Sequence, residues 1–262
     1  MIRRRDDQIR IGRVACIACG HCVAVCPEGA IVDEEGERPR SEAALLPSPA
    51  SLAALLRQRR TVRRYRPEPV ARELIEDCLD TARWAPTAAN EQPQGYVVVT
   101  DQGTRDELRG RIEEHYRAFA AALADREHRA ERVAALGLEA EAAAHPHVLA
   151  AVPAFVKSVE AGRDRLFFEA PVVIVVHAAD DAVMPGAACA FAALSIVLMA
   201  EAHGLGTCLT GFAADALRHR ADIRESLGLP ADHQVHYVIV LGWPAEEFRH
   251  IPARRPTQVR WL

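Results

Sequence analysis

The run Pro171-Val172-Val173-Ile174-Val175-Val176 constrains the fold more than any other stretch of the chain. Successive side chains of a strand point to opposite faces, so a strand that is apolar at every position has both faces covered. The run is therefore a central strand, and other elements must pack on each side of it. Gly95-Tyr96-Val97-Val98-Val99-Thr100 reads as a second, β-branched strand, and Tyr237-Val238-Ile239-Val240-Leu241-Gly242-Trp243-Pro244 as the last core strand. The longest apolar stretch, from about Ala187 to Ala202, is preceded by Pro185-Gly186 and interrupted by Glu201 and His203. It falls short of the roughly 20 apolar residues of a membrane span. It reads as a buried core helix closed by Gly204, a residue suited to a left-handed helix cap.

Helical patterns fill the intervals. Ser48 or Ser51 can cap a helix carrying Leu52, Leu55 and Leu56. Leu74, Ile75, Cys78, Leu79 and Ala82 recur at three- and four-residue intervals and predict an amphipathic helix over about Ala71 to Ala85, stopped by Pro86. Thr104 to about Gly162 is rich in alanine, glutamate and arginine and predicts further helices, with a turn at His145-Pro146-His147 weighed against a two-histidine metal site. Tyr116, Phe119 and Phe155 are aromatic candidates for a lid or for the core. With 262 residues, half of them hydrophobic, the chain can bury a full core and fits one large domain and one small one.

Four of the seven cysteines fall within eleven residues. Cys16, Cys19, Cys22 and Cys26, followed by Pro27, have the C-x2-C-x2-C-x3-C-P spacing of a bacterial four-iron cluster motif. A structural zinc site competes with that reading. Only one such motif is present, so Cys26 stands as the fourth ligand, as an orphan, or as a sign that only part of a two-motif module survives. Glu28-Gly29-Ala30-Ile31-Val32 is expected to run on into a strand, and Ile9 to Val14 to form a short one. Glu34 to Pro39 and Pro47-Ser48-Pro49 read as linker. The division that follows is a ferredoxin-like iron–sulfur module over residues 1–45 and a larger domain over 46–262. Of the other thiols, Cys78 and Cys189 fall on apolar helix faces and read as core, whereas Cys208 is either a pocket residue or a reactive thiol. The odd cysteine count and the charged, non-apolar start Met1 to Asp7 argue against a disulfide framework and a signal peptide, so a cytoplasmic location is expected.

Arg59-Arg60-Thr61-Val62-Arg63-Arg64-Tyr65 follows the first amphipathic helix. Taken alone it could be a solvated helix end or a nucleic-acid patch; the net charge of −4 disfavours the latter. One helix later comes Pro86-Thr87-Ala88-Ala89-Asn90-Glu91-Gln92-Pro93, a polar turn of small residues. Guanidinium groups grip phosphate, and small residues let backbone approach a flat ring. In order and spacing the two segments resemble the nitroreductase family, with its basic-basic-Ser/Thr-x-Arg/Lys and Pro-Ser-x-x-Asn-x-Gln-Pro signatures.

That resemblance implies an α+β fold, a mixed sheet wrapped by helices, and an obligate homodimer with FMN at the interface. Arg59, Arg60, Thr61, Arg63 and Arg255, with Arg254 the second match, would hold phosphate and ribityl from one subunit. Pro86, Thr87, Ala88 and Asn90 would come from the other. Cys208, Leu209, Thr210 and Gly211 would line the isoalloxazine, with a Thr210 or Gly211 N–H aimed at the ring. The final Val259 to Leu262 would embrace the partner subunit, and the insert of 104–162 would cover the substrate side. The expected activity is electron transfer through flavin to a small acceptor such as a nitroaromatic or a quinone, fed by NAD(P)H or by a ferredoxin-type donor through the 4Fe-4S cluster. No catalytic residue is assigned. An electron-transfer or redox-sensing protein without turnover is the other reading, and neither nucleic acid nor membrane is an expected partner.

Overall fold

The computed structural model describes residues 2–5, 8–12, 16–32, 41–138 and 146–262. Along them run β1 (Ile2–Arg5), β2 (Gln8–Ile11), α1 (His21–Ala24), α2 (Pro49–Gln58), α3 (Arg72–Ala82), β3 (Gly95–Val99), α4 (Gln102–Ala124) and α5 (Arg129–Ala135). Then come α6 (Pro146–Glu160), β4 (Val172–Ala179), α7 (Pro185–Ala202), β5 (Gly206–Leu209), α8 (Gly211–His219), α9 (Ala221–Ser226) and β6 (His233–Gly242).

The apolar run is β4, and every residue from Val172 to Ala178 is buried. It lies inside a four-stranded sheet ordered β3-β4-β6-β5. All three pairings are antiparallel, so the expected mixed sheet is corrected to an antiparallel one. Among the described residues the parallel contact is an isolated bridge, Thr61 to Thr207, outside the named strand pairs. One sheet face presents Val173, Val175, Val238 and Val240 to α4, α6 and α8 through Ile112, Tyr116, Val152, Phe155 and Leu217. The other presents Val172, Ile174, Val176, Ile239 and Leu241 to α3 and α7 through Ile75, Cys78, Cys189, Ala192 and Ile196. Burial of each large aliphatic side chain contributes about 1.5–3 kcal/mol, so the two layers supply the main cohesion.

Several boundaries differ from the sequence reading for local reasons. The helix predicted to Ala85 ends at Ala82, because Arg83, Trp84 and Ala85 donate three residues back, tightening the chain into Pro86. Ser48, not Ser51, caps α2, its hydroxyl accepting from the Ser51 N–H at 3.1 Å. β5 has only four residues and opens on Gly206, a residue depleted in strands; it exists through pairing with β6. Ile31 and Val32 are not in a strand. The expected strand near Ile9 is β2 of an antiparallel hairpin with β1, while Val14, the linker residues Glu34 to Pro39 and His145 lie outside the described residues.

The helix read as wholly buried is covered on one side only. In α7, Ala188, Cys189, Ala192, Ile196 and Ala200 face the sheet, whereas Phe191 and Leu194 are 47% and 49% exposed. Its length and composition would allow a membrane crossing, but its inward face is part of the core. At the other end of β4 a register shift between Val176 and His177 leaves His236 as an extra residue on β6. There the Nδ1 atoms of His177 and His233 lie 2.7 Å apart.

Candidate functional site

The site starts where α2 runs out. Beyond Gln58 the chain becomes extended and is pinned to the sheet ends at two places. Thr61 bridges Thr207, with the Val62 N–H donating to the Thr207 carbonyl at 2.9 Å. Tyr65 bridges Pro244, with the Arg66 N–H donating to Trp243 and the Ala245 N–H to Arg64, both at 2.9 Å. Val62 is buried against Gly206, where an added Cβ would come within 2.5 Å of Val62 Cγ2. The Tyr65 hydroxyl donates to the Val62 carbonyl at 2.8 Å, and burial pushes its phenol far up, with Cys208 adding to the effect. With Val62 and Tyr65 turned inward, Thr61, Arg63 and Arg64 stay at the surface.

Two cavities adjoin this segment. One, of about 520 Å³, is lined by Arg59, Arg60, Thr61, Arg63, Arg64, Glu246, Phe248 and Arg254. Arg64 is paired with Glu246 at 2.8 Å. Among the described residues Arg59, Arg60, Arg63 and Arg254 form no ion pair, which leaves a concentrated positive charge. The second cavity, of about 400 Å³, shares Arg63. Its floor is Cys208, Leu209, Thr210 and Gly211, and its walls include Phe155, Ser158, Arg165, Phe168 and Phe212. Phe155 stacks on Phe212 at 4.9 Å, and the Tyr116 hydroxyl fixes that wall by donating to the Phe212 carbonyl at 2.8 Å.

On the floor, the Thr210 N–H already donates to Val238 at 2.8 Å. Of the two amides named from sequence, only Gly211, at the first position of α8, remains for a ligand, because first-turn N–H groups have no acceptor within their helix. Thr210 Oγ1 is buried without a partner. Burial raises the Cys208 thiol, opposed by nearby Arg63, so the thiol is kept neutral rather than activated.

The predicted residues divide between places. Arg59, Arg60, Thr61, Arg63 and Arg254 meet at the cationic cavity, and Cys208 to Gly211 at the second. Arg255, the preferred tail residue from sequence, lines neither cavity; Arg254 takes that position. Pro86, Thr87, Ala88 and Asn90 line neither one. Their loop is tightly built, with Ala89, Asn90 and Gln92 at φ 52, 56 and 51. Such conformations cost of order 1–3 kcal/mol each and persist only where the surroundings enforce them. Here Thr87 Oγ1 accepts from the Gln92 N–H at 3.1 Å, and Glu91 accepts from the Val183 N–H at 2.6 Å.

Asn90 Nδ2 donates to the Ala18 carbonyl at 2.9 Å, so the cysteine segment abuts this loop. In that segment Ala18 and Gly20 have φ 51 and 68, and the Ala30 N–H donates to Cys26 Sγ at 3.3 Å, lowering that thiol. Cys16, Cys19, Cys22 and Cys26 are all free thiols, and among the described residues no three metal-ligating side chains converge.

Sequence reasoning missed Ser158, Arg165, Phe168 and Phe212. Tyr116 and Phe119 are core, each 1% exposed, whereas Phe155 is buried yet lines the pocket. Phe168 and Glu169 adopt φ 56 and 60, and Asp164 holds them by accepting from the N–H groups of Leu166, Phe167 and Glu169 at 2.8–2.9 Å. No composition signal marks these positions; only the Phe-Phe pair before the central strand could have drawn notice.

The model of the "Nitroreductase family" matches residues 56–243, which contain the Thr61–Thr207 bridge, the four-stranded sheet and the pocket floor. The chain belongs to the nitroreductase family. A relative in Thermus thermophilus named NADH dehydrogenase is 30% identical over 208 residues, covering 79% of this chain and 92% of that one. Nitrobenzene nitroreductase of Ectopseudomonas oleovorans is 28% identical, covering 76% and 88%. In structure, a nitroreductase with bound FMN from Bacteroides fragilis superposes with a TM-score of 0.55 at 20% identity, covering 80% of this chain and 98% of that one. That likeness establishes the nitroreductase fold. The residues before 56, including the cysteine motif, lie outside the family match.

Proposed function

We propose that this chain is an FMN-dependent oxidoreductase that delivers electrons through the flavin to a small organic acceptor such as a nitroaromatic or a quinone. Two cavities that share Arg63 carry this reading: one is lined by guanidinium groups of which Arg59, Arg60, Arg63 and Arg254 form no ion pair among the described residues, and the other is a slot walled by aromatic rings. The first suits a phosphate and the second a flat ring system. Two details fit the flavin. Thr210 Oγ1 is an unpartnered buried polar atom beside the slot, and a Cβ on Gly211 would meet nothing within 4 Å, so ring and backbone can approach there. Arg59, Arg60, Thr61 and Arg254 would hold phosphate and ribityl, and Arg63 and Cys208 to Gly211 would line the ring. Bound FMN supplies the hydride- and electron-transfer chemistry. The chain's own part is to bind it, to offer the Gly211 N–H to its edge, and to exclude water with Phe155 and Phe212.

The relatives' names support a nicotinamide donor. The test is a titration of the flavin-free chain with FMN, followed by its reduction with NADH or NADPH and reoxidation by nitrobenzene or a quinone. A chain that stays colourless with excess FMN, or a bound flavin that no acceptor reoxidises, refutes the proposal.

We also propose a homodimer. Pro86, Thr87, Ala88 and Asn90 would complete the site of the other subunit, and Phe191, Leu194, Trp261 and Leu262 supply exposed apolar surface for the contact. Light scattering in solution reads the mass, and a monomer at micromolar concentration rejects this. For the extension, residue type and spacing fit a 4Fe-4S cluster with a ferredoxin-type donor, supported by the N–H donated to Cys26 Sγ; as described, the thiols do not converge on one point. Iron and sulfide analysis after anaerobic reconstitution tests it. Deleting residues 1–45 is expected to abolish reduction by a one-electron donor and to spare the NAD(P)H reaction.

A further inference from the structure

Beyond the cofactor's two cavities as assigned, the outer wall of the second one has features that a flavin does not explain. Arg165 lines it, and among the described residues Arg165 forms no ion pair and donates no hydrogen bond to a side chain or carbonyl. Its guanidinium lies 6.0 Å from the centroid of the Phe168 ring, and that of Arg63 lies 5.9 Å from the same centroid. Among the described residues no aspartate or glutamate lines the cavity, so its two cations have no carboxylate beside them there. Guanidinium groups are a common recognition device for a planar anion, because their fork matches both carboxylate oxygens. The rest of the wall is apolar or aromatic: Ala151, Ala154, Phe155, Phe168 and Phe212.

The Phe168 position is held in place. Both Phe168 and Glu169 are left-handed, and Asp164, whose side chain is 5% exposed, fixes them through three backbone N–H groups while Arg109 lies 3.7 Å from its carboxylate. On the facing helix α6, Ser158 Oγ accepts from Arg163 at 3.2 Å, which leaves its hydroxyl proton free to be donated into the cavity. A cation on an aromatic platform, a hydroxyl donor opposite it and an apolar slot between them form a site for a flat molecule with one negative end.

We propose that this outer wall is the acceptor subsite, and that Arg165, with Ser158, selects aromatic acceptors carrying a carboxylate. The inference rests on the flavin reading above, since the floor of the subsite is the bound ring. It commits to the acceptor's carboxylate as the anion; the pyrophosphate of a nicotinamide donor has the same affinity for guanidinium and is separated by the test.

The FMN-loaded chain is titrated calorimetrically with 4-nitrobenzoate and with 4-nitrobenzamide, which differ in charge and little in shape. Parent protein is expected to bind the benzoate on the order of 10- to 100-fold more tightly, the range of a lost charge-assisted contact. Arg165→Gln should abolish the preference, Arg165→Lys should keep part of it, and both should bind FMN as the parent does. Equal affinities in the parent, or a preference that survives Arg165→Gln, overturns the proposal. So does an Arg165→Gln variant that keeps the benzoate preference but needs more NADH or NADPH to reduce its flavin, because the anion is then the donor's. A chain that takes up no FMN overturns the flavin reading and this proposal together, whereas FMN uptake without anion preference overturns this one alone.

Discussion

Gly206→Ala tests the physical link between the arginine segment and the pocket floor. A Cβ at this position would lie 2.5, 2.8 and 2.9 Å from Val62 Cγ2, Cβ and Cγ1. Carbon atoms in good contact are about 3.5–4.0 Å apart, so Val62 must withdraw by about 1 Å. It cannot do so alone. Its N–H is bonded to the Thr207 carbonyl at 2.9 Å, one residue from the new methyl, and its side chain is 3% exposed. Overpacking of this kind costs about 1–3 kcal/mol. For a domain of this size each kcal/mol lowers the melting temperature by about 2–4 °C, which gives a fall of about 2–12 °C. Because Thr61 and Arg63 flank Val62, the same shift should weaken FMN binding. Thermal unfolding by circular dichroism on the flavin-free chain and fluorescence titration with FMN read the two effects. Val62→Ala in the same chain removes two of the three offending carbons, so the double variant should be more stable than the sum of the single changes by more than about 0.5 kcal/mol. A Gly206→Ala variant with the parent's melting curve and FMN affinity refutes the claimed contact.

Other expectations follow from the same geometry. Replacing both Arg59 and Arg60 by Ala removes two cations that form no ion pair among the described residues, and each lost charge-assisted contact is worth about 1.5–3 kcal/mol to a bound phosphate, so FMN affinity should fall by at least about 100-fold while the melting temperature of the flavin-free chain stays put. Tyr116→Phe deletes the hydroxyl that donates to Phe212, and urea unfolding should show a loss of about 0.5–1.5 kcal/mol. His177 is held down at about 4 by burial first and then by His233 and His236. Its folded value is below the ordinary 6.5, so the unfolded chain binds the extra proton. Stability from this group is complete above pH of about 6.5 and is lost as pH falls towards about 4, a slope that urea midpoints measured across this range should show and that His177→Gln should flatten.

How much of this was written in the sequence depends on the range of the interaction. The core strand at Val172 to Val176 and the amphipathic stripe of α3 were legible because the periodicity of one element carries the signal. The arginines of 59–63 were legible because a cationic site needs cations wherever they are placed. β5 was not, since Gly206 and Thr207 become strand only through partners more than 30 residues away on β6. The one-sided burial of α7 was hidden for a different reason: Phe191 and Leu194 are as apolar as the residues facing the sheet, so composition does not tell covered from open. Arg165 and Phe168 were out of reach because their value comes from Asp164 folding a loop beneath them. Arg254 rather than Arg255 lines the cationic cavity, since an extended tail turns its side chains to alternate sides and motif matching does not fix that phase.

The residues from Thr61 to Tyr65 are spliced to β5 at one end and to β6 at the other. Their number is therefore set by the gap between two neighbouring strand termini, not by anything the guanidinium groups require. Adding or deleting a single residue there would make it impossible to keep both bridges and leave Val62 and Tyr65 in their inward places at once. Length drift over evolutionary time should thus accumulate upstream in α2 or downstream of Pro252, while side-chain identity at the outward positions stays free to vary with whatever the cationic cavity holds.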